Sequence, residues 1–300
     1  MGNQLKIGMV GLDTSHCAAF TELLNDPEHP YHVPGGNVVI AFPGGSPDFD
    51  LSYSRIEGIT EKLKGEFQVK IKDSIEEVCE ISDAILLTSV DGRVHLEQFK
   101  RIAEFKKPVF IDKPFTVDYE EAVRIRDIAH DMDIPIMSTS SLRYAEGLQN
   151  NLKSSKNIIG ADSYGPMNIV EKQPGLFWYG IHSVEMLFTI LGKGCISVET
   201  VTNEDYDLLV GEWDDGRIGT VRGNRKGNNQ FGALIHMESS TVFAEGQSGT
   251  KPHYASLLEQ VMIMFKTGEP RIDIEETIEI IRFIEAANES RTTGKKVKLR

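Results

Sequence analysis

The chain has 300 residues, 40% of them hydrophobic and 26% charged, with a formal net charge of −13. That length accommodates one large or two ordinary domains. The acidic balance argues against non-specific nucleic-acid binding and against anionic membrane surfaces. Three cysteines, Cys17, Cys79 and Cys195, are too few and too scattered for a disulfide framework or a zinc site. No metal is expected, and a reducing compartment is the simplest reading. The first six residues lack the apolar core of a signal peptide, and no window approaches the ~18 apolar residues of a membrane span. A cytoplasmic protein is therefore expected.

The first half alternates strands and helices. Leu5 to Val10 is a β-prone run that leads into Gly11-Leu12-Asp13-Thr14-Ser15-His16, and Cys17 to Leu24 reads as helix. Strand, tight turn and helix is the setting in which a glycine-rich dinucleotide motif has meaning. A full fingerprint places glycines at 11, 13 and 16, and here only Gly11 is present. Asp13 brings bulk and a like charge to the place where a pyrophosphate normally approaches the backbone. Thr14 and Ser15 still offer hydroxyls and amides at a helix N-terminus, and His16 in the first turn is a candidate contact for a phosphate or a nicotinamide. The alternative is Asp13 or Thr14 acting as a plain helix cap. Val38 to Phe42 is the second strand. The loop Phe42-Pro43-Gly44-Gly45-Ser46-Pro47 lacks the charged residue that would read a ribose. Its glycines suit an amide nest or a flexible turn.

Gly58 to Leu63 reads as helix and Gln68 to Ile71 as a brief strand. Ser74 opens a helix with Glu77 at capping-box spacing. Asp83 to Thr88 is a buried strand. It runs into Ser89-Val90-Asp91-Gly92-Arg93, after which His95 starts a helix. Val109 to Ile111 is a further buried strand, ended by Asp112-Lys113-Pro114, because proline cannot donate to a ladder. Lys113 thus falls at the carboxyl end of a strand, where open α/β sheets bind ligands. A Lys-Pro turn that merely leaves a strand is the alternative. A helix from Asp118 to His130 and a strand from Ile134 to Met137 complete a parallel sheet with covered faces.

After about Ser140 the pattern changes. Met167 to Lys172 reads as strand, and Gly180 to Leu191 as helix. Five β-rich runs follow, at Ser197–Thr202, Asp207–Trp213, Ile218–Arg222, Gly232–Met237 and Ser240–Ala244, with Asp214-Asp215-Gly216 as a hairpin turn. Helices are expected at Ala255 to Lys266 and Glu275 to Ser290. The fold class is therefore α/β. A Rossmann-type parallel sheet occupies 1–140, and an α+β domain with an open, mainly antiparallel sheet occupies 141–300.

Four segments in order along the whole chain resemble the Gfo/Idh/MocA oxidoreductases, the glucose–fructose oxidoreductase and inositol dehydrogenase group. Ile111-Asp112-Lys113-Pro114 is similar to their Glu-Lys-Pro motif, with aspartate for glutamate. Asp83 to His95 is similar to their strand and Thr-Pro loop, with Thr88 retained and Ser89 where proline is usual. Gly180-Ile181-His182-Ser183-Val184-Glu185 is similar to their Gly-x-His segment, and Ala287 to Val297 to their usual ending.

The resemblance implies a bound NAD or NADP and hydride transfer to or from a sugar, inositol or related polyhydroxy compound. It also implies a second domain used for substrate binding and for assembly as a homodimer or homotetramer. Carried over by position, Lys113 orients or protonates the reacting oxygen and His182 acts as acid or base. A cleft between the domains would bring the two together. Gly11, Asp13, Thr14, Ser15, His16, Thr88, Ser89, His95, Lys113 and Pro114 line the cofactor, with a cis bond expected at Lys113-Pro114. The acid that usually lies four residues before the histidine is replaced by Trp178. Tyr179 is then a candidate for proton work, or, with Trp178, for packing. A non-catalytic dinucleotide- or sugar-binding protein on the same scaffold is the alternative reading. A third is elimination or hydrolysis with a tightly held cofactor.

Overall fold

A computed structural model describes residues 4–299. The chain divides into two compact units. The first runs to Thr116 and adds Glu120–Thr139 and Tyr254–Ile274; the second holds Val117–Tyr119, Ser140–His253 and the chain from Glu275 onward.

The first unit contains β1 (Leu5–Val10), α1 (Ser15–Asn25), β2 (Gly36–Phe42), α2 (Asp50–Tyr53), α3 (Ile56–Phe67), β3 (Lys70–Ile71), α4 (Ile75–Ile81), β4 (Ala84–Leu87), α5 (His95–Ala103), β5 (Val109–Ile111), α6 (Tyr119–Asp131) and β6 (Ile136–Ser138). Its strands form one sheet in the order β3-β2-β1-β4-β5-β6, every pair parallel. Residues 84–87 and 109–111 are buried throughout, so these strands read as unbroken apolar runs rather than alternating ones. The order reverses at β1, and the crevice beyond the carboxyl ends of β1 and β4 is where such sheets hold ligands. Ser74 caps α4 as expected: its Oγ accepts from the Glu77 amide at 3.2 Å, while the Glu77 carboxylate accepts from the Asp73 amide at 3.3 Å. Gln68, read as the start of a strand, instead ends α3 with a left-handed backbone at φ 54°.

The second unit contains α7 (Glu146–Ser154), β7 (Ile158–Pro166), α8 (Gly180–Leu191), β8 (Cys195–Thr202), β9 (Tyr206–Trp213), β10 (Ile218–Asn224), β11 (Gly232–Met237) and β12 (Thr241–Glu245). The chain then makes α9 (His253–Thr267), most of which belongs to the first unit, followed by α10 (Ile274–Thr293) and β13 (Val297–Lys298). A division at residue 140 alone does not capture this return. The seven strands run β12-β11-β7-β10-β9-β8-β13, antiparallel except for β7 against β10. One face is covered: Phe188 of α8 meets Trp213 of β9 and Phe283 of α10, each with ring centroids 5.5 Å apart. The opposite face leaves Val201, Ile218, Leu234 and Phe243 exposed.

The strand expected at Met167 to Lys172 is a correction. Met167 donates one further bond to the Asn224 carbonyl, and the chain then leaves the sheet. The strand is β7, just upstream, which carries two glycines and an aspartate that are poor strand formers on their own. Its neighbours β10 and β11 supply the pairing that local propensity does not.

Candidate active site

Lys113 is placed by what surrounds it in the first unit. β5 extends its ladder by one bond, from the Asp112 amide to the Leu87 carbonyl at 2.8 Å. The Lys113 amide then donates to Asp112 Oδ1 at 2.9 Å, and the Lys113-Pro114 bond is cis. The Lys113 side chain is half-buried. Burial pulls its ammonium below the ordinary lysine value; Asp112 opposes that shift, and the nearby Arg55 charge adds to it. No hydrogen bond or ion pair is made by the Arg55 guanidinium among the described residues.

Asp112 is buried and spans two groups. Its Oδ2 lies 2.5 Å from His16 Nδ1, while Oδ1 takes the Lys113 amide. Burial alone would raise its carboxyl, but His16, Lys113 and these hydrogen bonds together hold it below its usual value. His16 stands in the first turn of α1, stacked on Phe20 at 5.4 Å and edge-on to Tyr254 at 4.9 Å.

The β1–α1 turn differs from the expectation at Asp13. Its carboxylate points into the protein, accepting from Ser52 Oγ at 2.5 Å and from the Val90 amide at 2.8 Å, and the residue is fully buried. Burial raises this carboxyl, and those two hydrogen bonds only partly offset the rise. Asp13 therefore pins together the turn after β1, helix α2 and the loop after β4. Arg93 reinforces the same lock, forking onto Asp91 at 2.7 Å and onto Asp48 at 3.0 Å. Gly11 has φ +90°, and a Cβ there would come within 2.5 Å of the Ser89 amide nitrogen, so only glycine fits. Its amide and that of Leu12 donate to the Phe42 and Pro43 carbonyls.

The remaining candidates of this unit fall into two groups. Thr14 is the cap of α1, accepting from the His16 amide at 3.4 Å, and Thr88 donates to the Gly11 carbonyl at 2.7 Å. His95 is a buried brace with ring nitrogens on the Phe115 and Ser89 carbonyls, at 3.0 and 2.8 Å, so neither is left to face a ligand. By contrast, Ser15 is exposed at the helix start. Ser89 Oγ, Ser46 Oγ and Gln98 Oε1 are buried polar atoms without partners. None of these three was singled out as an orphan by the sequence; only packing makes them so.

In the second unit, His182 opens α8 with its Nδ1 2.7 Å from Ser140 Oγ. Its ring lies 6.1 Å from Tyr179 and 5.6 Å from Phe231. Tyr179 is 36% exposed and meets Trp178 edge-on. Arg143 is buried between Glu185 at 2.7 Å and Glu276 at 2.5 Å. The three cysteines are buried, which pushes each thiol up to about 12 and leaves no thiolate for nucleophilic work.

The two units together have the fold of known sugar and inositol dehydrogenases. Over 99% of this chain and 97% of theirs, they are similar to the Lactobacillus casei myo-inositol dehydrogenase solved with NAD(H) and myo-inositol, at 15% identity and a TM-score of 0.79. The apo scyllo-inositol dehydrogenase of the same organism superposes with a TM-score of 0.82 at 14% identity, over 99% and 98% of the two chains. A probable dehydrogenase from Thermotoga maritima gives 0.79 at 17% identity, over 98% and 99%. No family model matches the sequence, and no curated protein is significantly similar to it. The likeness is therefore one of fold. Among the described residues no helix is long and apolar enough to cross a membrane.

Proposed function

We propose that this protein is an NAD(P)-dependent oxidoreductase that moves a hydride to or from a carbinol carbon of a sugar, inositol or related polyhydroxy compound. The carrying observation is Lys113, a half-buried lysine at the carboxyl end of β5 in a sheet whose order reverses at β1. The fold shared with dehydrogenases supports the reading.

The residues present fit a dinucleotide. Asp13 keeps its charge turned inward, away from a pyrophosphate. α1 presents its N-terminus with Ser15 exposed, and Arg55 offers a cation that no carboxylate takes up among the described residues. When bound, the dinucleotide supplies the hydride acceptor. Lys113 stabilises charge developing on the reacting oxygen, and an imidazole takes its proton. His182 and Tyr179 are the acid–base candidates of the second unit.

Assembly as a homodimer or homotetramer through the open sheet face accompanies this reading. Phe243 and Leu234 are cross-strand partners there, and with Ile218 and Val201 they expose apolar surface of the kind a second copy covers. Light scattering should give a dimer or tetramer mass for the wild type and a monomer mass for Phe243→Glu.

Calorimetric titration with NADH and NADPH tests the main reading, followed by turnover on a polyol panel. Lys113→Met should abolish turnover while changing cofactor affinity only a few-fold. Binding of neither dinucleotide at millimolar concentration would defeat the proposal. Binding without turnover would move it to the non-catalytic alternative, which Trp178 in place of the usual acid favours.

A further inference from the structure

We infer that His16, held by Asp112, is the imidazole that exchanges the substrate's proton. This rests on the oxidoreductase reading and names its acid–base residue. Two buried histidines of the first unit make the contrast. His95 spends both ring nitrogens on main-chain carbonyls, as a structural histidine does. His16 spends one, on a buried carboxylate at 2.5 Å. Its Nε2 has no partner among the described residues and is not one of the sealed, unsatisfied polar atoms, and a tenth of the side chain remains exposed. A carboxylate on one ring nitrogen fixes the tautomer and orientation, so that the other nitrogen is bare and aimed.

The same Asp112 accepts the Lys113 amide, so one carboxylate sets both the base and the residue that handles the reacting oxygen. Phe20 stacks on the ring and Tyr254 meets it edge-on, the two aromatics themselves lying 5.6 Å apart. The charged and titratable groups around the pair within its unit are Asp112, Lys113, Arg55 beyond it, the buried Cys17 thiol and the Tyr254 phenol. His16 stands at the position of the fingerprint's third glycine, and the acid expected before His182 is absent.

In the oxidative direction the hydroxyl O–H bond breaks and its proton passes to His16 Nε2. The carbinol C–H electron pair leaves as hydride to the oxidised nicotinamide dinucleotide, and the C=O bond forms. The imidazolium is stabilised by Asp112.

Nitrogen-edited NMR of the full chain, labelled at histidine, tests the dyad without any turnover. The His16 ring should carry its proton on Nδ1, with a far-downfield resonance that disappears in Asp112→Asn. A proton on Nε2 instead would overturn the inference.

Kinetics with NAD+ and myo-inositol as probe, at saturating and limiting concentrations, test the role. His16→Asn and His16→Gln should each lower kcat at least 100-fold and remove the acid limb of the pH profile, with NADH affinity within threefold of wild type. An unchanged pH profile in both His16 variants, or a loss of NADH affinity as large as the loss of kcat, would show a ring that only touches cofactor and would overturn the assignment. If the wild type binds neither dinucleotide, the oxidoreductase reading falls while the NMR result still decides the dyad.

Discussion

Replacing Asp13 separates the two things it does, namely accepting hydrogen bonds and carrying a buried charge. Asp13→Ala removes the acceptor for two buried donors, the Val90 amide at 2.8 Å and the Ser52 hydroxyl at 2.5 Å. Each buried donor left without a partner costs about 1–3 kcal/mol, so the lock should weaken by about 2–6 kcal/mol. Asp13→Asn keeps an oxygen for the amide and offers a donor to Ser52 Oγ while discarding the charge, so its effect should stay within about 1 kcal/mol.

Both tryptophans, Trp178 and Trp213, lie in the second unit, so intrinsic fluorescence does not report on this lock. Amide hydrogen exchange over 11–17 and 88–94 does. With about 1.4 kcal/mol per tenfold, exchange in Asp13→Ala should quicken by roughly 30-fold or more, and in Asp13→Asn by less than about tenfold.

The sign with pH follows from the raised carboxyl. An acid whose folded value lies above its unfolded one binds its proton more readily when folded, so the wild-type lock tightens as pH falls through the folded value toward about 4. Asp13→Asn lacks that response and should gain on the wild type as pH rises. Unchanged protection at Val90 in Asp13→Ala, or equal damage from both substitutions at neutral pH, would refute the account.

Two further outcomes are expected. Arg143→Met leaves Glu185 and Glu276 facing each other without their cation inside the second unit; breaking a buried ion network in this way costs about 3–5 kcal/mol. Urea unfolding followed by Trp213 should show it, and a triple variant that also carries Glu185→Gln and Glu276→Gln should recover part of the loss. Asp112 works in the opposite sense to Asp13. Its folded carboxyl lies below the ordinary value, so its contribution is present above about pH 4 and fades as pH falls through the folded value. The stability gap between wild type and Asp112→Asn should therefore be widest near neutrality and close in acid, as denaturation curves at pH 3 and pH 7 would show.

Much of the fold was legible because its signals are local. Continuous apolar runs at 84–87 and 109–111, the Ser74–Glu77 cap and the apolar spacing of α8 each fix an element with few neighbours needed. β7 was not legible, since its glycines and aspartate carry no strand signal and its identity comes from β10 and β11. Likewise the residues of the turn after β1 could be named from spacing, but not where their side chains would go. Asp13 next to a helix N-terminus reads equally as a cap or as a repulsive charge. Only the arrival of Ser52 from α2 and of Val90 from the loop after β4 turns it inward.

Chain order alone determined the alternation of strands and helices, the change of pattern near residue 140, and the placement of Lys113 at a strand's end. These depend on periodicity and on proline's missing donor, which act within a few residues. The tertiary structure decided which titratable groups meet: His16 with Asp112, 96 positions away, and His182 with Ser140, 42 away. A hydrogen bond forms over about 3 Å of space, whatever the separation in sequence, so only the folded chain determines how such groups are paired.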